Sequence, residues 1–213
     1  MEAKIPYTPD QSQLAVIQRK LYLDNRIRNG GNWFFWIAGL SLLNTIIYLS
    51  GNKLTFVIGL AVTQLIDGFM TGLVNHFGNG WTIARILGFA IDACIAGIFI
   101  IFGYFGRKRY RWSIIVGMIL YALDGIVMLL FQDWLGTGFH LLALFGIWSG
   151  LQSLSELEIL EKSGTSESIE SIRQRMPSLR PQITPQQRRT RWILVGLIIL
   201  VPVLLFVFAA LQH

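Results

Sequence analysis

The sequence predicts an all-α, polytopic helical membrane protein, and three observations carry this prediction. Of the 213 residues, 53% are hydrophobic and only 14% are charged, whereas soluble domains average about a quarter charged residues. The apolar residues fall in six long stretches, and aromatic residues lie near the ends of these stretches. A chain so poor in charge cannot cover a globule with polar surface. Ordinary soluble enzymes and nucleic-acid-binding domains are therefore excluded.

Each of the six stretches has the length that a helix needs to cross a membrane. Roughly 20 helical residues cover about 30 Å of hydrocarbon. Only helices and closed barrels can span lipid, and barrel strands would show about ten residues of alternating pattern. The predicted membrane segments are Trp33–Ser50, Leu54–Asn75, Ala84–Phe105, Ser113–Phe131, Gly136–Ser155 and Trp192–Gln212.

Residues 1–32 precede the first segment and are predicted to hold one amphipathic helix on the cytoplasmic side. Thr8 is the expected N-cap of a capping box with Gln11, and Gly30-Gly31 is the expected stop. Apolar residues at helical spacing lie among several arginines, a pattern typical of a helix in the membrane interface. We therefore expect contact with the lipid bilayer through anionic headgroups. A protein partner on this helix is the alternative.

The rest of the chain divides into three parts. Residues 33–155 are expected to form a five-segment membrane bundle. Residues 156–191 start with three glutamates that continue the fifth helix, and then become rich in Ser, Gln, Arg and Pro. This composition predicts a flexible cytoplasmic linker and a second place for a protein partner. Residues 192–213 are expected to form a C-terminal anchor helix, because Trp192–Leu211 is apolar all round.

The basic residues create a conflict in the predicted topology. Lys and Arg favour the cytoplasmic side, and they cluster at 19–28, 107–111 and 173–191. If all six segments crossed fully, the first cluster would lie opposite the other two. A re-entrant segment would place all three on one face, and the polar, glycine-interrupted Leu54–Asn75 is the best candidate. A full crossing packed through its glycines is the alternative. Either topology fits a multi-pass protein of the plasma (inner) membrane.

Three aspartates, Asp67, Asp92 and Asp124, lie well inside predicted membrane segments. An aspartate at the centre of a spanning helix costs about 2.5–3.5 kcal/mol on insertion scales. An interhelical hydrogen bond in a membrane returns only about 0.6 kcal/mol on average. Adhesion between helices is therefore a poor reason for three such residues, and a function is expected for them.

The aspartates share helical faces with other polar or small residues, and these faces are predicted to meet inside the bundle. On the fifth segment the predicted face consists of His140, Trp148 and Gln152. The small residues from Gly146 to Gly150 are predicted to serve helix packing. The residues of the predicted binding site are Asp67, Asp92, Asp124, Asn44, His140, Tyr121 and Arg85.

The carboxyl groups favour the binding or passage of a proton, a cation or a small polar solute. On this hypothesis Asp92 and Asp124 carry the exchangeable proton, and His140 acts as a gate. The alternative is a non-catalytic scaffold or assembly protein in which the aspartates join helices. A membrane-embedded transferase or hydrolase ranks third. His76 and His140 are far apart, and Cys94 is the only cysteine. We therefore expect no enzyme, metal site, cofactor or nucleic-acid partner.

Overall fold

The computed structural model of the chain describes residues 10–49, 60–77 and 81–162, together with Arg189. These residues form five α-helices, so the predicted all-α class is confirmed for this part of the chain. The anchor Trp192–Gln212 and most of the linker 156–191 lie outside the described residues. The helices are α1 (Gln11–Leu49), α2 (Ala61–Phe77), α3 (Trp81–Arg107), α4 (Arg111–Leu130) and α5 (Trp134–Lys162).

Three stretches in these helices are long and apolar enough to cross a membrane, and they match the third, fourth and fifth predicted segments. The stretches are Ile86–Arg107, Arg111–Leu130 and Trp134–Lys162. Six crossings are not supported, because no other helix in the described ranges qualifies. The 17 residues of α2 cover only about 25 Å, which is shorter than the hydrocarbon layer.

The first helix, α1, runs without interruption for 39 residues, so the predicted stop at Gly30-Gly31 is wrong. The two glycines lie where α1 crosses its neighbours closely. A Cβ on Gly30 would lie 2.8 Å from the Cα of Gly150 in α5. A Cβ on Gly31 would lie 2.9 Å from the backbone nitrogen of Arg107 in α3. Packing on both sides outweighs the low helix propensity of glycine, and the small residues of α5 serve packing as predicted.

The start of α1 is capped two residues later than predicted. The backbone N–H of Gln11 donates to Asp10 Oδ1 at 2.6 Å, and the backbone N–H of Asp10 donates to Gln13 Oε1 at 3.3 Å. Asp10 is therefore the N-cap, and Gln13 completes the capping box. The sequence offers both boxes, since Thr8 and Asp10 each precede a glutamine by three residues. Thr8 lies outside the described residues.

The N-terminal half of α1 packs inside the protein. Ile17, Leu21 and Ile27 are buried in the same apolar cluster as Leu154 and Leu157 of α5. The apolar stripe that was expected to face the membrane interface is thus covered by protein. The fifth helix continues to Lys162, which confirms its predicted extension through the glutamates.

Neighbouring long helices alternate in direction. Along α1, Gly31 lies against Gly103 of α3, and Thr45 contacts Asp92 earlier in α3, so these two helices are antiparallel. We call the end where residues 19–28, 107–111 and 156–161 meet the charged end. We call the opposite end, with the turn at residues 131–133, the far end.

Ion pairs hold the charged end together. The carboxylate of Asp24 accepts from Arg109 Nη2 at 2.6 Å and from Arg28 Nε at 3.1 Å. Three further pairs reach α5: Arg19 with Glu156, Arg111 with Glu158, and Arg109 with Glu161. The first two basic clusters therefore share one face. A hydrogen bond with the Tyr104 side chain raises the pKa of Lys108 on the same face.

The turns after α3 and α4 have the same backbone design. Tyr110 N–H donates to the carbonyl of Phe105, and Asp133 N–H donates to that of Met128, which are the long bonds of a Schellman motif. Arg109 and Gln132 hold the left-handed position, with φ of 69° and 57°, where glycine is usual. The conformation at Arg109 brings its guanidinium to Asp24, and this ionic contact offsets the backbone cost.

Candidate functional site

The predicted site residues are buried but form two separate centres. Asp67, Asp92, Asp124, Asn44, Tyr121 and His140 are each at most 7% exposed. His140 contacts Asp124, whereas Asp67 contacts Asp92. Arg85 lies in α3, and its side chain is outside the described residues. The structure thus brings the three aspartates into the bundle interior without joining all three carboxyl groups directly.

One predicted face is wrong. His140 is buried, but Trp148 is 47% exposed and Gln152 is also exposed. A step of eight residues turns a helix by about 80°, so these two side chains drift away from the face of His140. The buried face of α5 instead includes Ala143, Ile147, Gly150, Leu151 and Leu154.

The first centre is the Asp124–His140 pair, which joins α4 to α5. His140 Nε2 lies 2.8 Å from Asp124 Oδ2, and His140 Nδ1 lies 2.8 Å from the backbone oxygen of Gly136. A carbonyl oxygen only accepts, so the Nδ1 position carries a hydrogen. The assignment of that tautomer follows from the hydrogen-bond network.

This geometry requires a second proton between the imidazole and the carboxyl group. With hydrogen on Nδ1, a neutral ring presents a lone pair at Nε2. That lone pair cannot hydrogen-bond an ionised carboxylate. Either the carboxyl is protonated and donates to Nε2, or the ring is an imidazolium that donates to Oδ2. The Asp124–His140 pair is therefore a proton-holding pair in both forms.

Two neighbours on α4, Tyr121 and Gly125, determine how the imidazole is placed. The Tyr121 ring stacks on it with centroids 4.3 Å apart and planes 14° apart. A Cβ on Gly125 would lie 3.1 Å from His140 Cβ and 3.2 Å from its Cδ2. The absence of a side chain at Gly125 thus lets the ring lie against α4, with Nε2 directed at Asp124.

Asp124 also caps the N-terminus of α2. Its Oδ2 accepts from the backbone N–H of Ala61 at 2.8 Å, and its Oδ1 accepts from that of Val62 at 2.9 Å. Leu60 and Ala61 are buried, so α2 starts in the interior of the bundle. A carboxylate is favourable at the positive end of a helix and satisfies backbone donors that would otherwise be unpaired.

The second centre is the Asp67–Asp92 pair, between α2 and α3. The two carboxyl groups face each other closely enough for a side-chain hydrogen bond, and such a bond requires a proton on one of them. Thr45 of α1 donates from Oγ1 to Asp92 Oδ2 at 2.9 Å. Asp92 is fully buried, and within the described part of the chain its Oδ1 atom has no hydrogen-bond partner.

Hydroxyl groups and one peptide unit connect the two centres. The N–H of Ala61 binds Asp124, while the carbonyl of the same peptide unit, on Leu60, accepts from Thr63 Oγ1 at 2.8 Å. Thr63 Oγ1 lies 3.2 Å from Ser41 Oγ, and Thr45 Oγ1 lies 3.3 Å from the backbone oxygen of Ser41. We call Thr63, Ser41 and Thr45 the hydroxyl bridge. It makes the two centres parts of one polar network.

Asp124 and His140 lie at similar distances from the far ends of their helices. Asp124 is six residues from Leu130 in α4, and His140 is six residues from Trp134 in α5. Each is about 9 Å from the far end of its apolar stretch.

The hydroxyl bridge and the buried start of α2 were not predicted from the sequence. Ser and Thr are frequent in packed helices, and every residue except proline has a backbone N–H, so neither feature produces a distinctive sequence pattern.

No known protein family, curated protein or solved structure matches this chain.

Proposed function

We propose that this multi-pass membrane protein binds protons at the Asp124–His140 pair and passes them across the bilayer, with the polar network as the proton-binding site inside the membrane. The observation that supports this most is the contact of His140 Nε2 with Asp124 Oδ2, at 2.8 Å, which holds one proton. Intramembrane ionisable residues mark such pathways. His140 then acts as a proton carrier beside the far end, in place of the gate expected from the sequence.

The topology that we propose has six membrane segments, with α2 as a re-entrant half-helix. Its start is buried beside Asp124, and its remaining residues run alongside α3. Half-helices of this kind surround binding sites in transporters. The charged end is the cytoplasmic side of an inner membrane, because Lys and Arg favour that side. The crossing of Trp192–Gln212 rests on its sequence alone.

The hydroxyl bridge supports proton exchange between the two centres. A hydroxyl donates and accepts at the same time, so Thr63 and Ser41 can exchange a proton between their oxygens, and the backbone oxygen of Ser41 connects them to Thr45. The peptide unit between Leu60 and Ala61 keeps the two centres electrostatically coupled. The Asp67–Asp92 pair is then the second proton site, with Asp92 as the group that exchanges it.

Proton flux in proteoliposomes tests this function. Asp124→Asn keeps an oxygen that can cap α2 but cannot exchange a proton, and His140→Gln removes the imidazole. Both variants should lower flux driven by a membrane potential at least tenfold. Acid–base side chains typically contribute about 10²–10⁴-fold to the rate of a proton transfer. Glu161→Gln, at the exposed charged end, is the control. Wild-type flux in Asp124→Asn proteoliposomes would refute the proposal.

A scaffold in which the aspartates join helices is the second candidate, and the cap on α2 favours it. On that hypothesis Asp124→Asn stays folded, Asp124→Ala loses the α2 contact, and wild type moves no protons. Folding of each variant is measured by thermal unfolding in detergent. Absence of wild-type flux together with unfolding of Asp124→Ala would support the scaffold and exclude the proton pathway.

A further inference from the structure

We infer that Asp92, Asp67 and Thr45 form a binding site for a small monovalent cation of the sodium class, in competition with a proton. The inference deepens the proposed function and rests on it only for the role of the cation in transport, since binding can be measured alone. The site lies where α1, α2 and α3 meet, beside the hydroxyl bridge.

The site offers oxygen atoms from three different helices. Thr45 Oγ1 of α1 lies 2.9 Å from Asp92 Oδ2 of α3, and the carboxyl of Asp67 of α2 contacts that of Asp92. Carboxyl and hydroxyl oxygens are hard ligands, which suit hard cations without redox chemistry. Ligands from three helices also allow a bound cation to hold the half-helix α2 against α1 and α3.

Asp92 Oδ1 is the independent observation that points to a ligand. Asp92 is 0% exposed, and its Oδ1 is buried without a hydrogen-bond partner among the described residues. An unpaired buried polar atom is expensive, and more so when it belongs to a carboxylate. In the described ranges no Lys, Arg or His lies within ion-pair distance of Asp92, whereas Asp24 and Asp124 both have such partners. A cation at Oδ1 satisfies this atom.

The charge of the pair indicates a monovalent ion. Two carboxyl groups that share one proton carry a single negative charge, which one monovalent cation neutralises. A second proton neutralises the pair equally well, so the two ligands compete. A multivalent ion would favour a site with three or more His, Cys, Asp or Glu side chains. The described part of the chain holds no such group.

The groups that face Asp92 determine where the proton that competes with the cation binds. Asp67 is the acidic group that faces it from α2, and Thr45 faces it from α1. On α4, Asp124 is reached only through the hydroxyl bridge and is already paired with His140 of α5. The competing proton therefore resides on Asp92 or Asp67.

Sodium-dependent thermal stability of the purified full chain tests the inference. Melting is followed in detergent at pH 8 with sodium chloride against N-methyl-D-glucamine chloride at equal ionic strength. A ligand that binds only the folded state raises Tm with its concentration. We expect wild type to gain a few degrees in sodium at pH 8 and to lose most of this gain at pH 5. Glu161→Gln should behave as wild type.

The site variants separate ligand binding from folding. Asp92→Asn should lose the sodium-dependent shift while melting at least as high as wild type without sodium, because the amide carries no charge. Thr45→Val, a near-isosteric change, should raise the sodium concentration needed for half of the Tm shift at least threefold. A sodium-dependent shift that persists in Asp92→Asn, or no shift in folded wild type, overturns the inference.

Failure of the inference and failure of the proposed function give different results. Proton flux that is unaffected by sodium, with no sodium-dependent melting, leaves the proton pathway and removes the cation site. Sodium-dependent melting that requires Asp92, in a protein without proton flux, leaves the site and removes the pathway.

Discussion

Buried aspartates are stabilised in two different ways in this molecule. At the charged end, Asp24 is 1% exposed and accepts from both Arg28 and Arg109. Inside the bundle, the described partners of Asp92 are a hydroxyl and another carboxyl group. Full ionic pairing is typical of a structural role, because an uncompensated buried charge is strongly destabilising. The weaker pairing of Asp92 is what we expect of a group that exchanges a ligand.

The first residue-scale prediction concerns the structural role of Asp24. Asp24→Asn should lower the free energy of unfolding by about 1–3 kcal/mol, a value reduced for the partial exposure of both arginines. The cause is the loss of two charge-assisted bonds, which leaves two guanidinium groups competing for one amide oxygen. Unfolding in mixed micelles of detergent and SDS measures this change.

An exposed ion pair provides the comparison. Arg19 and Glu156 are bonded at 2.5 Å, but their side chains are 50% and 46% exposed. Glu156→Gln should therefore change stability by no more than about 1 kcal/mol. An equal loss in both variants would contradict the view that burial decides the value of the Asp24 contacts.

The sequence indicated which side chains are buried better than it indicated their partners. The three aspartates, Asn44, Tyr121 and His140 are all buried, as their helical spacing suggests. The pairing of Asp124 with the backbone of Ala61 could not be predicted, since every residue except proline has the same N–H. The pairing of Asp67 with Asp92 depends on the helix packing of α2 and α3, which the periodicity of one segment does not contain.

At the scale of elements, glycine positions decide how closely the helices pack. Gly30 and Gly150 face each other across α1 and α5, while Gly31 lies against Gly103 and Arg107 of α3. Close backbone approach increases the number of van der Waals contacts, which is the main attraction between helices in lipid. The position of α1 between α3 and α5 therefore depends on these small residues.

Alanine substitutions measure this dependence. Gly30→Ala places a Cβ 2.8 Å from the backbone of Gly150, so α1 and α5 have to separate. We expect a loss of about 1–3 kcal/mol in the free energy of unfolding. Gly97→Ala is the matched control, because nothing lies within 4 Å of its Cβ. That change should be neutral or stabilising by up to about 1 kcal/mol. An equal loss in both variants would contradict the view that close packing at Gly30 causes the effect.

The two consecutive glycines also show the limit of local sequence signals. Gly30-Gly31 follows a basic amphipathic stretch, and such a pair commonly ends a helix. Here tertiary packing reverses the local preference, because a helix that continues can place both glycines against neighbouring backbones. The neighbouring glycines are more than 70 and 110 residues away in the chain. No window around residue 30 contains that information.

For the whole molecule, the ion pairs of the charged end show which helix ends lie together. Arg109, from the turn after α3, bonds Asp24 of α1 and Glu161 of α5. Residues 19–28 and 107–111 thus lie on one side, as the sequence suggested for a re-entrant second segment. The described part of the chain has three helices long and apolar enough to cross a membrane, fewer than predicted, because hydropathy alone does not show where a helix such as α2 begins.

Cysteine labelling checks this topology in membranes. In a Cys94→Ser background, cysteines that replace Ser12 and Lys108 should react with an impermeant reagent from the same side. A cysteine that replaces Gln132, in the turn of the far end, should react only from the opposite side. Ser12 and Lys108 lie toward the same end because α1 and α3 run antiparallel, and α4 is long and apolar enough to place Gln132 on the opposite side. Labelling of Ser12 and Lys108 positions from opposite sides would contradict the arrangement.

The cap on α2 also has a consequence for synthesis of the chain. Ala61 and Val62 leave the ribosome before Asp124, which follows Ala61 by 63 residues. Synthesis proceeds at about 5–20 residues per second, so Asp124 is added to the chain several seconds after these N–H groups. Unsatisfied backbone groups are not stable in lipid. We therefore expect the second helix to reach its final place only after the fourth, so that these two helices do not mature in chain order.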